Sequence, residues 1–113
     1  MGKFIKGDIV VLSCPFSDLS AVKRRPALVI AALDGNDVIL CQITSQAKTD
    51  RYAISLQDED YIDGSLNTKS VVRPNKIFTA DTSIILYTAC KINNDKTNIV
   101  INAIIRIMSS KIE

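Results

Sequence analysis

The chain has 113 residues, of which 47% are hydrophobic and 23% charged, so it can enclose one core but not two. A formal net charge of +2 argues against an indiscriminate polyanion binder, and any contact with nucleic acid must come from local basic clusters. The absence of histidine removes the usual general base and the usual zinc ligand. We therefore expect one domain over residues 1–113, whose chemistry relies on Arg, Lys, carboxylates or hydroxyls.

Cysteine usage and hydropathy indicate the cellular compartment. Cys14, Cys41 and Cys90 lie far apart inside apolar runs, which predicts small buried side chains and neither a disulfide nor a thiolate metal site. No run of about 18 apolar residues is present, and Asp8 precedes any hydrophobic segment of signal-peptide length. We expect a cytoplasmic protein with no membrane contact, no metal and no cofactor.

The N-terminal part of the chain predicts three strands. Asp8–Cys14 is dense in β-forming residues, and the turn-rich residues 16–20 after it predict an exposed loop. Pro26–Leu33 and Asp37–Ile43 are two further β-forming runs on either side of Asp34-Gly35-Asn36. A glycine in so short a connection favours a tight reversal, so these two runs predict a β-hairpin.

The middle of the chain is more polar. It predicts a loop over Thr44–Arg51, a short strand over Tyr52–Leu56 and an acidic, turn-prone stretch over Gln57–Gly64. Two more short strands are predicted over Ser70–Arg73 and Lys76–Phe78. Pro74 separates the last two strands. Proline cannot donate to a ladder, so it predicts a sheet edge or a break there.

The C-terminal part predicts a strand followed by a helix. Ser83–Ile92 favours β structure, whereas Asn93-Asn94-Asp95 can cap a helix. Although six of residues 99–107 are Ile or Val, apolar residues recur at helical spacing, at Val100, Ala103, Ile104, Ile107 and Met108. This stripe predicts a face packed on the core or in a dimer interface. The predicted fold is mainly β, a small and strongly bent antiparallel sheet or barrel with a C-terminal helix packed on it.

Four segments occur in an order and spacing typical of one protein family. They are Lys6–Val10 leading to Pro15-Phe16, the run Lys23–Ile30 containing Arg-Arg-Pro, Gln42–Ser45 with the sequence Gln-Ile-Thr-Ser, and Ser70–Thr79. Together with the helix predicted after Asn93, this pattern resembles the PemK/MazF family of toxin ribonucleases. The loop after Phe16 departs from it, because Ser17–Ser20 lacks the glycine often found there.

The resemblance implies an SH3-like or CcdB-like antiparallel barrel that forms a homodimer. It also implies metal-independent cleavage of single-stranded RNA that leaves 2′,3′-cyclic phosphate and 5′-hydroxyl ends. The implied protein partner is a cognate antitoxin with a flexible segment that blocks the RNA groove, and DNA is reached only indirectly through the antitoxin complex.

Metal-free RNA cleavage needs a proton acceptor, a proton donor and positive charge on the phosphate. Arg25 is our main catalytic candidate, since a guanidinium can hold phosphate oxygens through two parallel hydrogen bonds. The resemblance also gives Arg25 a part in proton relay, but arginine loses its proton only far above neutral pH, so we favour charge stabilisation. Thr44, by resemblance the partner catalytic residue, and Ser45 end the adjacent strand and could bind the same phosphate. Asp18 is a candidate base.

Six further residues are candidates for RNA contact: Lys23, Arg24, Phe16, Arg73, Lys76 and Gln46. Structural interpretations compete with each role. Paired arginines at a strand entrance are usually solvated, Thr-Ser after a strand often begins a turn, and a phenylalanine more often fills a core than stacks on a base. Arg73 and Lys76 could also simply balance the acidic stretch Asp58–Asp60.

Other functions remain open for the same fold. A non-catalytic module of this shape could poison gyrase, as in the related CcdB group, or bind RNA without cutting it. An inactivated toxin could be retained as a structural or regulatory protein. The Arg-Arg-Pro and Ile-Thr-Ser segments favour the ribonuclease, because these are the residues that the ribonuclease branch uses.

Overall fold

The computed structural model describes residues 4–14, 23–45 and 50–110. Over these residues the chain forms seven strands and a helix: β1 (Asp8–Cys14), β2 (Lys23–Ala32), β3 (Asp37–Thr44), β4 (Ile54–Ser55), β5 (Tyr61–Asp63), β6 (Val71–Asp81), β7 (Ile85–Ile92) and α1 (Asn94–Ser109). Short 3-10 turns at Asp58–Asp60 and Thr82–Ile84 precede β5 and β7. The strands form one antiparallel sheet in the order β4-β6-β3-β2-β1-β7-β5.

Strands β1 to β3 confirm the strands expected from the sequence. The β2–β3 hairpin turns through Gly35, which has a φ of 79°, and the Leu33 amide donates to the Asp37 carbonyl at 2.9 Å. β2 begins at Lys23 rather than at Pro26, because its basic residues pair with β1 as far as Cys14. Backbone hydrogen bonds between strands form whether the side chains are polar or apolar. The hydrophobic pattern alone therefore placed the start of β2 too late in the sequence.

The expectation of two strands separated by Pro74 is wrong, since β6 is a single strand from Val71 to Asp81. Its register against β3 nevertheless shifts around the proline, where Val72 pairs with Ile43 and Ile77 pairs with Cys41. β6 carries the extra residues of this irregularity. Pro74, which has no N–H to donate, therefore lies where the regular ladder is interrupted.

Two other expectations near the sheet edges need correction. The strand expected over Tyr52–Leu56 is only Ile54–Ser55, and part of the stretch expected to be a turn, Gln57–Gly64, forms β5. β5 pairs with the end of β7 through Tyr61 and Ile92. A strand of this length has no periodicity that sequence reasoning could detect, and it exists because β7 supplies a partner edge. β7 itself starts at Ile85 rather than at Ser83, after the second 3-10 turn.

Side chains are buried on both faces of the curled sheet, in two clusters with alternating membership along the strands. One cluster contains Ile9, Leu28, Cys41, Ile43, Leu56, Val72, Cys90, Ile92 and Val100 of α1, and the other contains Val10, Leu12, Ala27, Val29, Val38, Leu40 and Ala80. Successive strand residues face opposite sides, which accounts for the alternation. Cys41 and Cys90 are free buried thiols, as expected, whereas the Cys14 side chain lies outside the described part of the structure.

Helix α1 confirms the expected capping and spacing. Asn93 is the N-cap, and its side-chain oxygen accepts a hydrogen bond from the Lys96 amide at 2.7 Å. Val100 is fully buried and Ile104 packs against the first cluster, while Met108 at the end of the stripe is 69% exposed. Tertiary packing of this stripe outweighs the strand propensity of the Ile and Val residues.

The segment Lys6-Gly7-Asp8 is a structural turn that joins the sheet to the start of α1. Gly7 has a φ of 101°, its amide donates to Val29 and its carbonyl accepts from Ile92, both at 3.0 Å. The buried Asp8 carboxylate accepts from the Ile5 amide at 3.1 Å and pairs with Lys91 at 3.3 Å. All of these contacts join Gly7 and Asp8 to other parts of the same fold, so the segment Lys6-Gly7-Asp8 stabilises the folded structure.

Gly7 therefore should tolerate a side chain less well than Gly35. Both have positive φ, but a Cβ on Gly7 would lie 3.2 Å from the Ile92 carbonyl oxygen, whereas nothing lies within 4 Å of a Cβ on Gly35. We expect Gly35→Ala to lower the free energy of unfolding by about 1 kcal/mol and Gly7→Ala by about 3 kcal/mol. Urea denaturation of both variants measures this, and equal losses would contradict it.

Candidate functional site

The pairing of β2 with β3 brings the candidate catalytic residues together. Ala27 of β2 pairs with Gln42 of β3. Continued toward the ends of the two strands, the same antiparallel register places Arg25 beside Thr44. On its other side Arg25 pairs with Leu12 of β1. The guanidinium therefore emerges from the middle of the sheet, at the end where β3 stops.

Arg25, Thr44 and Ser45 line one cavity of about 300 Å³, which we call the central cavity. Its other lining residues are Arg24, Pro26, Ile43, Thr68 and Ser70. Arg24 is exposed and Arg25 is half-buried. Neither arginine forms an ion pair with any residue in the described ranges, and no carboxylate from those ranges lines the cavity. The cavity thus combines two uncompensated cations with several hydroxyls, a composition suited to an anion.

Arg25 and Pro26 also line a second cavity of about 250 Å³, which we call the inner cavity. Lys76 of β6 and Gln42 of β3 line this cavity too, together with the apolar residues Leu12, Ala27, Ile77 and Phe78. Arg25 consequently stands at the boundary between a polar cavity and a more apolar one, with Lys76 contributing a further positive charge.

Arg73 occupies a different environment from Arg25. Its Nε donates to Asp50 at 2.6 Å and its Nη1 to the Gln42 side-chain oxygen at 3.4 Å. The suggestion that Arg73 balances Asp58–Asp60 is therefore wrong, because Asp50 is its partner. A guanidinium neutralised in this way is less available to a phosphate than that of Arg25.

The Cys41 thiol supports the irregular part of β6 from the core. Its Sγ donates to the Arg73 carbonyl at 2.9 Å, and burial raises the pKa of Cys41 to about 12. The thiol therefore stays protonated and remains a donor near neutral pH. This satisfies a carbonyl at the point where the β3–β6 register shifts, and so fixes the backbone from which Arg73 projects.

Phe16, Asp18 and Gln46 lie outside the described residues, and Lys23 is described only as the first residue of β2. Sequence reasoning also missed lining residues. Gln42 could have been found, because strand alternation puts it on the same face as Thr44. Thr68 and Ser70 reach the central cavity only through tertiary folding, and no local signal marks them.

The described ranges, 4–14, 23–45 and 50–110, hold no group of three or more His, Cys, Asp or Glu side chains that could bind a metal ion. In the same ranges, no helix has the length and apolar character required to cross a membrane.

Comparison with known proteins gives a family match over nearly the whole chain. Residues 5–108 match the family described as PemK-like, MazF-like toxin of type II toxin-antitoxin system. The fold and its basic, hydroxyl-lined cavity thus occur in a toxin. The chain belongs to the PemK-like, MazF-like toxins of type II toxin-antitoxin systems. No curated protein matches it in sequence.

Solved structures confirm the fold at low sequence identity. A MazE–MazF complex from Deinococcus radiodurans superimposes with a TM-score of 0.75 at 20% identity, covering 96% of this chain and 98% of that one. An endoribonuclease bound to its cognate antitoxin, from a mycobacterial species, gives 0.74 at 11% identity over 97% and 99%. Toxin MazF-mt6 of Mycobacterium tuberculosis gives 0.70 at 15% identity over 93% and 99%. The expected mainly β fold with a C-terminal helix is confirmed.

The Asp50–Arg73 pair predicts a loss of stability in acid. The hydrogen bond from Arg73 holds the pKa of Asp50 below its ordinary 3.8, helped by the Tyr52 amide and by the charge of Arg73, and opposed by burial. Because the folded-state pKa is lowered, this stabilisation is complete above about pH 4 and is lost as pH falls through that lower value.

Asp50→Asn should therefore lower the free energy of unfolding by about 1 kcal/mol at pH 7, and the difference from wild type should shrink below about pH 4. Urea titrations between pH 2 and pH 7 measure it. In an Arg73→Gln background, the effect of Asp50→Asn on the free energy of unfolding should depend very little on pH. A difference that stayed constant across the pH range would contradict the assignment.

Proposed function

We propose that this toxin is an endoribonuclease that cuts single-stranded RNA, with Arg25 as its main catalytic residue. The observation that carries the proposal is the central cavity, which Arg25 lines together with the hydroxyl-bearing residues Thr44 and Ser45. The Arg25 guanidinium forms no ion pair with any described residue. Membership of the toxin family and the likeness in fold to endoribonucleases support the same activity.

In the proposed reaction the ribose 2′-oxygen attacks the adjacent phosphorus and the bond from phosphorus to the 5′-oxygen breaks. The 2′-hydroxyl proton passes to a base and the leaving 5′-oxygen receives a proton, so the products carry a 2′,3′-cyclic phosphate and a 5′-hydroxyl. Charge builds up on the non-bridging phosphate oxygens in the transition state. The forked donors of Arg25 are suited to stabilise it, while the Thr44 and Ser45 hydroxyls hold the phosphate in place.

The reaction proposed here uses no metal ion. Asp18 stays our candidate for the base. Lys76, at the inner cavity, and Arg24, at the central cavity, flank Arg25 and are suited to bind neighbouring phosphates. Lys23, Phe16, Arg73 and Gln46 remain candidates for RNA contact, with Arg73 the weakest because Asp50 neutralises it.

The proposed assembly is a homodimer in the cytoplasm. A cognate antitoxin regulates it by covering the RNA groove, and the complex contacts DNA only through this antitoxin. Complexes of related folds with MazE or a cognate antitoxin support the partner. The dimer is supported by apolar side chains that are exposed at the start of β7 and in the 3-10 turn just before it, namely Ile84, Leu86 and Tyr87.

Arg25→Ala should reduce cutting of a single-stranded RNA by at least about 100-fold without changing the melting temperature, because the fixed positive charge at the phosphate is lost. The assay measures fragments of a labelled RNA in EDTA. Arg25→Lys should retain part of the activity, since it keeps the charge but not the fork. Arg106→Ala, an exposed arginine on α1, is the matched control and should cut like wild type.

Cutting by Arg25→Ala at the wild-type rate would remove Arg25 from its role. Wild-type protein that binds the RNA tightly but never cuts it would instead favour a non-catalytic binding module or an inactivated toxin.

If β7 forms the dimer contact, light scattering after size exclusion should give twice the chain mass of 12.4 kDa for wild type. Leu86→Arg should shift the distribution toward monomer, because it places a charge in an apolar interface. Ile105→Arg alters a similarly exposed isoleucine on α1 and serves as the control. Loss of the dimer in the control alone would place the contact on the helix instead.

A further inference from the structure

A third cavity, of about 500 Å³, adjoins the central cavity on the side away from the inner one. Ser45, Thr68 and Ser70 line both the central cavity and this third one, which we call the outer cavity. The three cavities therefore follow one another across the end of the sheet, with Arg25 between the inner and central cavities and Ser45 between the central and outer ones.

The outer cavity has an apolar floor beneath polar walls. Leu56, Leu66 and Tyr61 lie among its lining residues, and Leu56 is buried while the other two are half-buried. The Leu66 backbone amide hydrogen-bonds the Tyr61 hydroxyl, and burial raises the pKa of Tyr61, so the phenol stays neutral. A neutral, fixed aromatic ring beside leucine side chains suits the flat face of a nucleobase.

Some of the polar groups on the walls already have partners. The Gln57 carbonyl accepts from the Asp60 amide at 2.9 Å, and the Ser70 hydroxyl donates to the Thr68 carbonyl at 3.0 Å. Asn67 differs, because it is exposed and its amide forms no hydrogen bond with any residue in the described ranges. An amide offers both donors and an acceptor, which is what recognition of a base edge requires.

The charges around the outer cavity are also compatible with a nucleotide. Lys69 is exposed and forms no ion pair within the described part of the chain, so it can bind a second phosphate. Asp58 is the one acidic residue among the described lining residues, and its carboxylate can accept from an amino group on a base. Phosphate and base recognition are therefore both available within a single cavity.

We propose that the outer cavity binds the base of a nucleotide flanking the cut, and that Asn67 determines the sequence preference at that position. The inference rests on the proposed ribonuclease function. With the scissile phosphate at Arg25 in the central cavity, the nucleosides on its two sides must continue toward the two adjoining cavities. The outer cavity is the larger and more polar of these, and the Asn67 amide that lines it has no hydrogen-bond partner among the described residues.

The test is cleavage of a random-sequence single-stranded RNA pool by purified full-length protein, followed by sequencing of the fragment ends. Asn67→Ala should weaken the base preference at one position flanking the cut by about tenfold, the effect of losing one base-reading contact. Preferences at other positions should stay as in wild type. Asn67→Asp, which replaces donors by acceptors, should change which base is preferred at that position.

Asn102→Ala is the matched control, because it removes an exposed asparagine on α1 and should leave every preference unchanged. If both Asn67 variants cut with the wild-type preference at all positions, the outer cavity does not read a base, although the ribonuclease function stands. An equal loss of rate on all sequences would also overturn the role of Asn67. If wild-type protein cut no RNA, the proposed function and this inference would fail together.

Discussion

The register between β2 and β3 is the constraint on which the candidate site depends. It brings a guanidinium from the start of one strand to the hydroxyl-bearing residues at the end of the next, where Arg25, Thr44 and Ser45 share a cavity. A slip by one residue would send these side chains to the opposite face of the sheet. The buried runs of β2 and β3 prevent that slip, because each contributes alternately to the two core clusters. The hydrogen bonds between β2 and β3 therefore fix both the packing of the core and the positions of the candidate catalytic residues.

Electrostatic pairing distinguishes Arg73 from Arg24 and Arg25. Arg73 lies against Asp50 and Gln42, whereas Arg24 and Arg25 face a cavity to which no described carboxylate contributes. An unpaired guanidinium in a half-buried position keeps its full attraction for an anion, while a paired one must first give up its partner. Similar folds occur in MazF proteins at 15–20% identity, so the fold tolerates wide sequence change.

The elements predictable from the sequence are those whose stability is encoded locally. β1, the β2–β3 hairpin and α1 have long hydrophobic patterns, a glycine turn at Gly35 and a cap at Asn93. The elements that form only because a neighbouring strand pairs with them were predicted wrongly. β5 is too short to show a period, and the β6 ladder absorbs Pro74 as an irregularity because neighbouring strands hold both of its halves.

The mainly β class, the family resemblance and the strongest site candidates could all be read from the sequence alone, because the hydrophobic pattern and the Arg-Arg-Pro and Ile-Thr-Ser segments are local features. Which polar groups already have partners depends on the folded chain. The fold pairs Arg73 with Asp50, places Lys76 and Gln42 beside Arg25, and brings Thr68 and Ser70 to the central cavity from a segment distant in sequence. Partnership between side chains depends on long-range register and sheet curvature, which no local window of sequence contains.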